Sequence, residues 1–250
     1  LYIMNIYKIT DNKSISFITL TNLGYIDYTL NCLKSLDNIN FCKNLKCYCI
    51  GQKVFDNLQS KNYQCILLDN SEEFSKFQPF RQKNWSNIVQ KKFHIIYENL
   101  LKFDYVCFTD GDIVYQNNNF WNYCLSNIQD NDLLIQNDTY DNSDNSALCS
   151  GFMFIKSNEI TISLFNPTNT EQYSNIEGWG DQIYINEIKN KLKFKPLPLE
   201  LFPNGKYYNL NSNTLENNNN DDKKPYMIHF NWLNGDKKKK FMKKNNKWYI

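Results

Sequence analysis

Apolar positions along the chain follow two different periods. Ser16-Phe17-Ile18-Thr19-Leu20 is an unbroken β-branched and apolar run that stops at Thr21-Asn22-Leu23-Gly24, which predicts a strand and then a turn. Over 25–38 the period lengthens, and Tyr25, Tyr28, Leu30, Cys32, Leu33 and Leu36 recur at helical spacing. Leu45 to Ile50 predicts a second strand closed by Gly51, 52–60 a short helix, and Gln64 to Leu68 a third strand ending at Asp69-Asn70. Such a βαβαβ series predicts a mainly parallel sheet with helices on both faces. The clearest helix is predicted over 86–101, where Ile88, Val89, Phe93, Ile96, Tyr97, Leu100 and Leu101 mark one side. A buried strand follows at Phe103-Asp104-Tyr105-Val106-Cys107-Phe108, with acidic residues at its end. Leu133-Leu134-Ile135, Gly151-Phe152-Met153-Phe154-Ile155 and Tyr226-Met227-Ile228-His229-Phe230 predict three more strands, and Asp181 to Ile188 a further helix. Asn217 to Asn220 with Asp221-Asp222 predicts a loop, and the end is lysine-rich. With no internal repeat and no second core, the 250 residues predict one α/β domain over 1–250.

Composition narrows the function more than the fold. Lys+Arg number 28 and Asp+Glu 26, a net charge of +2 that makes no case for nucleic acid as a partner. The 40 asparagines, with abundant Ile, Lys and Tyr, resemble the product of an AT-rich genome, viral or protist, and carry no chemistry. There are eight cysteines but no C-x-x-C pair, so a structural zinc site is not expected. Cys32, Cys47, Cys49, Cys65 and Cys107 fall inside apolar strand or helix patterns, as buried free thiols do. No window reaches the ~18 apolar residues of a membrane span. Leu1-Tyr2-Ile3-Met4 shows no signal-peptide pattern. The expectation is a soluble, cytoplasmic or otherwise reduced chain, with an anchor upstream of Leu1 left open. Three N-x-[ST] matches, at Asn12, Asn84 and Asn137, are expected by chance in so Asn-rich a chain.

The sharpest chemistry is Asp110-Gly111-Asp112, directly after a hydrophobic strand. Strand ends are where α/β sheets place ligands. Two carboxylates one residue apart, with a glycine letting the backbone turn between them, can face one hard cation such as Mn²⁺ or Mg²⁺. The alternative is a solvated turn with a helix-capping Asp.

Phe103 to Tyr115, through Thr109-Asp110-Gly111-Asp112-Ile113-Val114, resembles the D-x-D segment of nucleotide-diphospho-sugar transferases of the GT-A fold, in the group of plant cell-wall α-glycosyltransferases and their viral relatives. Four further elements follow in that group's order. Ser150-Gly151-Phe152-Met153-Phe154-Ile155 is similar to its N-S-G-F strand, and Gly178-Trp179-Gly180-Asp181-Gln182 to its D-Q element. Leu197 to Gly205 is similar to L-P-x-x-x-F-x-x-G, and His229-Phe230-Asn231-Trp232 with Gly235 and Lys238 to H-x-N-W-x-x-G-x-x-K. One position departs: Cys149 stands where the group usually has Asn.

The resemblance implies a metal-dependent glycosyltransferase acting with retention. Asp110, Asp112 and His229 would hold Mn²⁺ or Mg²⁺, and a UDP-sugar would be the donor. Residues 15–115 would form the nucleotide-binding half, and 116–250 the half for donor sugar and a glycan or glycoprotein acceptor. Thr21, Asn22 and Tyr25, after the first strand, would meet base and ribose, and Lys92 would face the nucleotide. Ser150 and Gly151 would border the donor, Gly235 would let the backbone pass close to the diphosphate, and Lys238 would reach it from the side opposite the acidic pair. Lys237, Lys239 and Lys240 read as a solvated face. Asp181 and Gln182 are the catalytic candidates toward sugar hydroxyls, with Asp138 a further one. Trp179 and Trp232 read equally as sugar platforms or core. His94 has no assigned role. The tail from His229 to Trp248 is expected to close over the donor, because Trp232, Phe241, Met242 and Trp248 interrupt its lysines.

Two rivals differ in class. Asp110-Gly111-Asp112-Ile113-Val114 fits the D-x-D-x-[TV] motif of haloacid-dehalogenase-type phosphohydrolases, but that motif belongs at the first strand, and its later acids would have to be Asp221-Asp222 in the Asn-rich loop. A non-catalytic nucleotide-sugar or glycan-binding protein of the same fold is the other.

Overall fold

The structure is a computed structural model that describes residues 13–70, 85–173, 176, 178–218 and 224–250. Leu1 to Met4, the sequons at Asn12 and Asn84, and Asp221-Asp222 lie outside the described residues.

The opening series is β1 (Ile15–Asn22), α1 (Ile26–Asn38), β2 (Leu45–Ile50), α2 (Gln52–Gln59) and β3 (Gln64–Asp69). Then come α3 (Trp85–Leu100), β4 (Tyr105–Thr109), β5 (Ile113–Tyr115), α4 (Asn119–Ile128), β6 (Leu133–Asn137) and β7 (Leu148–Lys156). The remainder is α5 (Glu159–Phe165), α6 (Pro167–Thr170), α7 (Asp181–Ile188), β8 (Phe194–Leu197), α8 (Gly205–Glu216), β9 (Met227–His229) and α9 (Gly235–Lys244). Seven strands form one sheet in the order β3-β2-β1-β4-β7-β6-β8. Only β7 in that sheet runs against its neighbours, so the sheet is mainly parallel.

Alternation along each strand assigns side chains to two faces. Phe17, Cys107, Phe152 and Phe154 pack with Leu33 of α1, Leu58 of α2 and Trp121 of α4. Ile18, Val106, Phe108, Met153 and Ile155 pack on the other face with Phe93 and Ile96 of α3 and Ile185 of α7. Helices therefore cover both sides, as the βαβαβ pattern predicts. All eight cysteines carry free thiols, and seven of them are buried.

The antiparallel course of β7 positions chemistry. Thr109 at the carboxyl end of β4 pairs with Phe152, so Ser150 and Gly151 lie beside Asp110. A parallel β7 would place them at the opposite edge of the sheet, roughly 15 Å away. Asn22, Asp110, Asp138 and Cys149 thus gather along one edge. A separate ribbon of β5 and β9 pairs Ile113 with His229. That pairing closes a separation of more than a hundred residues.

Several elements were not legible beforehand. β5, β8 and helices α4, α8 and α9 lie outside the predicted elements, although Phe120, Trp121, Cys124 and Ile128 mark one face of α4, and β9 is shorter than the apolar run 226–230. The lysine-rich end is ordered rather than a loose extension: α9 buries Met242 and Lys238, and Asn31 of α1 donates to Lys247 O at 3.0 Å. No helix among the described residues is long and apolar enough to cross a membrane.

Candidate active site

The acidic turn begins where β4 stops. Asp110 N–H donates to Gly151 O at 2.7 Å, which ties the turn to β7. Gly111 is required for a different reason from the one expected. Its φ is not positive, but a Cβ there would stand 2.5 Å from Thr29 Oγ1. The glycine lets the turn lie against α1, which aims both flanking carboxylates into the cleft.

His229 meets them from β9. Its Nε2 lies 3.2 Å from Asp112 Oδ1 and 3.9 Å from Asp110 Oδ2, and ligand atoms of all three residues fall within 4.8 Å of one another. The ring is oriented from behind, where Nδ1 lies 2.7 Å from Gln136 Oε1 and 3.6 Å from Cys149 Sγ. Nε2 is buried and makes no hydrogen bond of acceptable geometry. It faces two carboxylates, the arrangement of a cation site whose imidazole is fixed by an outer hydrogen bond. Gly151 makes the room: a Cβ there would stand 2.2 Å from His229 Cε1 and 2.9 Å from Asp110 Oδ2. The donor set of two carboxylates and one imidazole therefore fits a divalent cation such as Mn²⁺.

Two buried lysines flank this trio. Lys92 Nζ donates to Asp181 Oδ2 at 2.6 Å and to Asp110 Oδ1 at 3.3 Å, over the Phe108 ring. Ser150 Oγ also donates to Asp181 Oδ2, at 2.7 Å. Lys238 Nζ donates to Asp112 Oδ2. This corrects one expectation: Lys238 does not approach from the side opposite the acidic pair, but bonds to one of its carboxylates, because α9 packs beside β9 and β5. Burial alone would raise the Asp112 carboxyl, yet Lys238 and His229 outweigh it and hold Asp112 well below the usual carboxylate range. Burial and the like charge of Asp112 push Asp110 up, against the pull of Lys92. For Asp181, Lys92 and Ser150 overcome burial and lower it.

These groups line one cleft of about 870 Å³. Thr21, Asn22, Tyr25, Lys92, Gly111, Ser150, Gly151, Gln182 and Lys238 all contribute to its wall. Asn22 Oδ1 accepts from Tyr25 N–H at 3.1 Å, capping the turn that presents both. Gly235 does not line the cleft; with a φ of 51° it opens α9, and nothing lies near its missing Cβ. Lys237 and Lys240 are exposed, as expected of a solvated face, whereas Lys239 is half-buried, pairs with Asp27 at 3.0 Å and lies over the Trp248 ring. Trp179 is core, stacked on Tyr173 at 4.8 Å, whereas Trp232 is 53% exposed at the cleft. Asn137 is an unsuitable sequon, since its buried amide donates to Asp141 O and Asp144 O.

Three contributors escaped the sequence. Gln136 orients His229 from the end of β6, its only signal being a polar residue that closes an apolar strand. Asn231 donates to Asp138 Oδ1 at 2.9 Å and accepts from Gly205 N–H at 2.7 Å. Thr29 sets the fit of Gly111. Asp138 is more engaged than a lone acid, because Gln182 donates to its Oδ2 at 2.8 Å and Trp232 Nε1 to its Oδ1 at 3.0 Å.

Comparison with known proteins is consistent with this geometry. A family model described as nucleotide-diphospho-sugar transferase matches residues 44–242. The UDP-galactose:fucoside alpha-3-galactosyltransferase of Dictyostelium discoideum is 26% identical over 270 aligned residues, covering 89% of this chain and 41% of that protein. The chain thus spans about two fifths of that relative. Among solved structures, galactosyltransferase LgtC in complex with donor and acceptor sugar analogues superposes with a TM-score of 0.59 at 14% identity, over 94% of this chain and 96% of that one. Mouse xyloside xylosyltransferase 1 gives 0.55 at 12% identity, over 87% and 98%. A glycosyltransferase involved in glycosylation of the major capsid of PBCV-1 gives 0.52 at 10%, over 92% and 99%. At such identities the structural likeness is one of fold.

Proposed function

Because the chain belongs to the nucleotide-diphospho-sugar transferase family and has its GT-A fold, we propose that it is a metal-dependent, retaining glycosyltransferase that moves a sugar from a UDP-sugar to a glycan or glycoprotein acceptor. One observation carries the reading: the buried His229 Nε2 lies 3.2 Å from Asp112 Oδ1 and 3.9 Å from Asp110 Oδ2, so an imidazole and two carboxylates converge on one point of the cleft. Asp110, Asp112 and His229 would hold Mn²⁺ or Mg²⁺. A divalent cation there supplies Lewis-acid stabilisation of charge on a leaving diphosphate.

The chain's own groups do the rest. Thr21, Asn22 and Tyr25 stand at the β1 end of the cleft and bind base and ribose. Burial raises the Tyr25 phenol, which keeps it a hydrogen-bond donor. Lys238 donates to Asp112 and has a second use, donation to a phosphate oxygen as charge develops. Lys92 draws the Asp110 and Asp181 carboxyls down against burial, and for Asp181 it prevails. Ser150 holds Asp181 in place, and Asp181 with Gln182 orients the donor sugar. Retention follows the family resemblance. It agrees with Asp138 and Asp181 both being engaged by donors rather than free to act as a base. The halves 15–115 and 116–250 then serve nucleotide and sugars within one domain.

The relative's name makes UDP-galactose the first donor to test and a fucoside the first acceptor. The test is release of UDP from a panel of UDP- and GDP-sugars, with and without Mn²⁺, alongside calorimetry with UDP and GDP. Mn²⁺-dependent turnover of a UDP-sugar is expected. Tighter GDP binding would overturn the donor assignment, and no turnover with any donor would favour a binding protein.

A further inference from the structure

The loop after His229 contains a feature that donor binding leaves unused. Trp232 has a φ of 67°, the left-handed region, which costs a bulky residue on the order of 1–3 kcal/mol. It is also half exposed. An exposed indole is ordinarily free to rotate, but this one is pinned twice. Its N–H donates to Asp138 Oδ1 at 3.0 Å, and the Lys206 ammonium lies 4.4 Å from its ring centre. The same ammonium lies 3.8 Å from the ring of Tyr140, which is exposed as well. Holding an exposed aromatic ring rigid at a backbone cost is preorganisation of a binding surface.

Its place in the cleft says what the surface is for. Asp138 receives Trp232 on one oxygen and Gln182 on the other. Gln182 adjoins Asp181, which Lys92 bridges to Asp110. The indole thus lines the same cleft as the acidic turn and is linked through Asp138 to Gln182, a side chain proposed to orient the donor sugar.

We propose that Trp232 is the acceptor platform and that the acceptor is a glycoside, stacked by the C–H face of one pyranose ring on the indole. This rests on reading the cleft as a nucleotide-sugar transferase site. Pyranose C–H groups carry partial positive charge that suits the negative face of a π system. Lys206, whose ammonium lies over the indole, and Asp138 Oδ2, which accepts from Gln182 and has a second lone pair, offer polar partners for ring hydroxyls. A lipid chain would need a continuous apolar groove, which a single ring bordered by a lysine and an aspartate does not provide.

The test uses methyl α-L-fucopyranoside, methyl β-D-galactopyranoside and a Ser/Thr peptide as acceptors with the purified chain, Mn²⁺ and the active donor. Wild type should saturate with at least one glycoside. Trp232→Ala and Trp232→Leu should raise that glycoside's KM tenfold or more while the donor KM moves less than twofold, and Trp232→Phe, which keeps a π face, should stay within about threefold. The inference is overturned if Trp232→Leu performs as well as Trp232→Phe, if donor and acceptor KM rise together, or if only the peptide saturates. A wild type that consumes no donor would instead remove the transferase reading on which the proposal stands.

Discussion

Lys92 and Lys238 have the same chemistry and different foundations. Both are nearly fully buried and both bond to a carboxylate of the acidic turn. Lys92 projects from α3, whose Phe93, Ile95 and Ile96 are fixed in the sheet core. It is saturated by Asp181, Asp110 and the Phe108 ring. Lys238 projects from α9, which buries little besides Met242. That helix is attached to α1 through polar contacts, such as Tyr28 Oη to Gly235 O at 2.9 Å and Lys239 to Asp27 at 3.0 Å. One ammonium projects from a helix in the sheet core, and the other from a helix held on the smaller cluster of Val114, Tyr208, Ile228 and Phe230 and by polar contacts to α1. The difference teaches that burial alone does not rank residues by role; what the surrounding element is anchored to matters as much.

The largest expected effect tests the turn both lysines serve. Asp112→Ala or Asp110→Ala should reduce metal-dependent UDP release by at least about a thousandfold, on the order of 4 kcal/mol. Full activity in both would make the turn structural and the comparison empty.

Lysine substitutions then separate the two foundations. Lys92→Met removes the buried partner of Asp181, 13% exposed, and of the more open Asp110, 38% exposed, which should cost about 3 kcal/mol and lower Tm on the order of 10 °C. Lys238→Met should lower turnover about a hundredfold, and Mn²⁺ should restore most of its lost Tm, because a divalent cation can neutralise Asp112 in its place. Lys240→Ala should leave both readouts near wild type. Equal melting losses with equal rescue would show that both lysines are anchored alike, and a Lys238 effect no larger than that of Lys240 would remove it from the site.

A smaller effect probes the space between them. Gly151→Ala drives a methyl into the His229 ring and should weaken Mn²⁺ binding about 10–100-fold with the fold kept, as loss of ligand orientation does. Calorimetry reads it directly, and unchanged affinity would place His229 outside the site.

The mildest lever is pH. Burial would lower the His229 pKa, but Asp112 and Cys149 raise it well above the usual value of 6.5. The metal-free ring therefore holds its proton more tightly than a free imidazole, whereas a metal ligand must be neutral. Mn²⁺ binding should release a proton, visible as a buffer-dependent enthalpy, and should weaken as pH falls. Without metal the sign reverses: the raised pKa stabilises the fold fully below pH 6.5, and that contribution fades as pH rises through the folded value. Binding enthalpy independent of buffer would contradict this protonation state.

Local residue order was enough to determine the β1–α1–β2–α2–β3 frame, the free cysteines, and the position of Asp110-Gly111-Asp112 at a strand end. Period, β-branching and turn residues act over a few neighbours and need no distant partner. The trio with His229 was legible only through motif resemblance, since no local rule joins residues so far apart. Tertiary structure decided what depends on which strands and helices come to lie together. The antiparallel β7 brought Ser150 and Gly151 to Asp110, and the β5–β9 ribbon brought His229 to Asp112. Thr29, not a special φ, explains Gly111. Gln136 became the support of His229 only when β6 set it behind the ring, and Lys238 joined Asp112 because α9 docked beside it. The physical reason is that backbone periodicity is a property of the segment, whereas a site's geometry follows from strand order and direction, which are settled by burying all the faces at once.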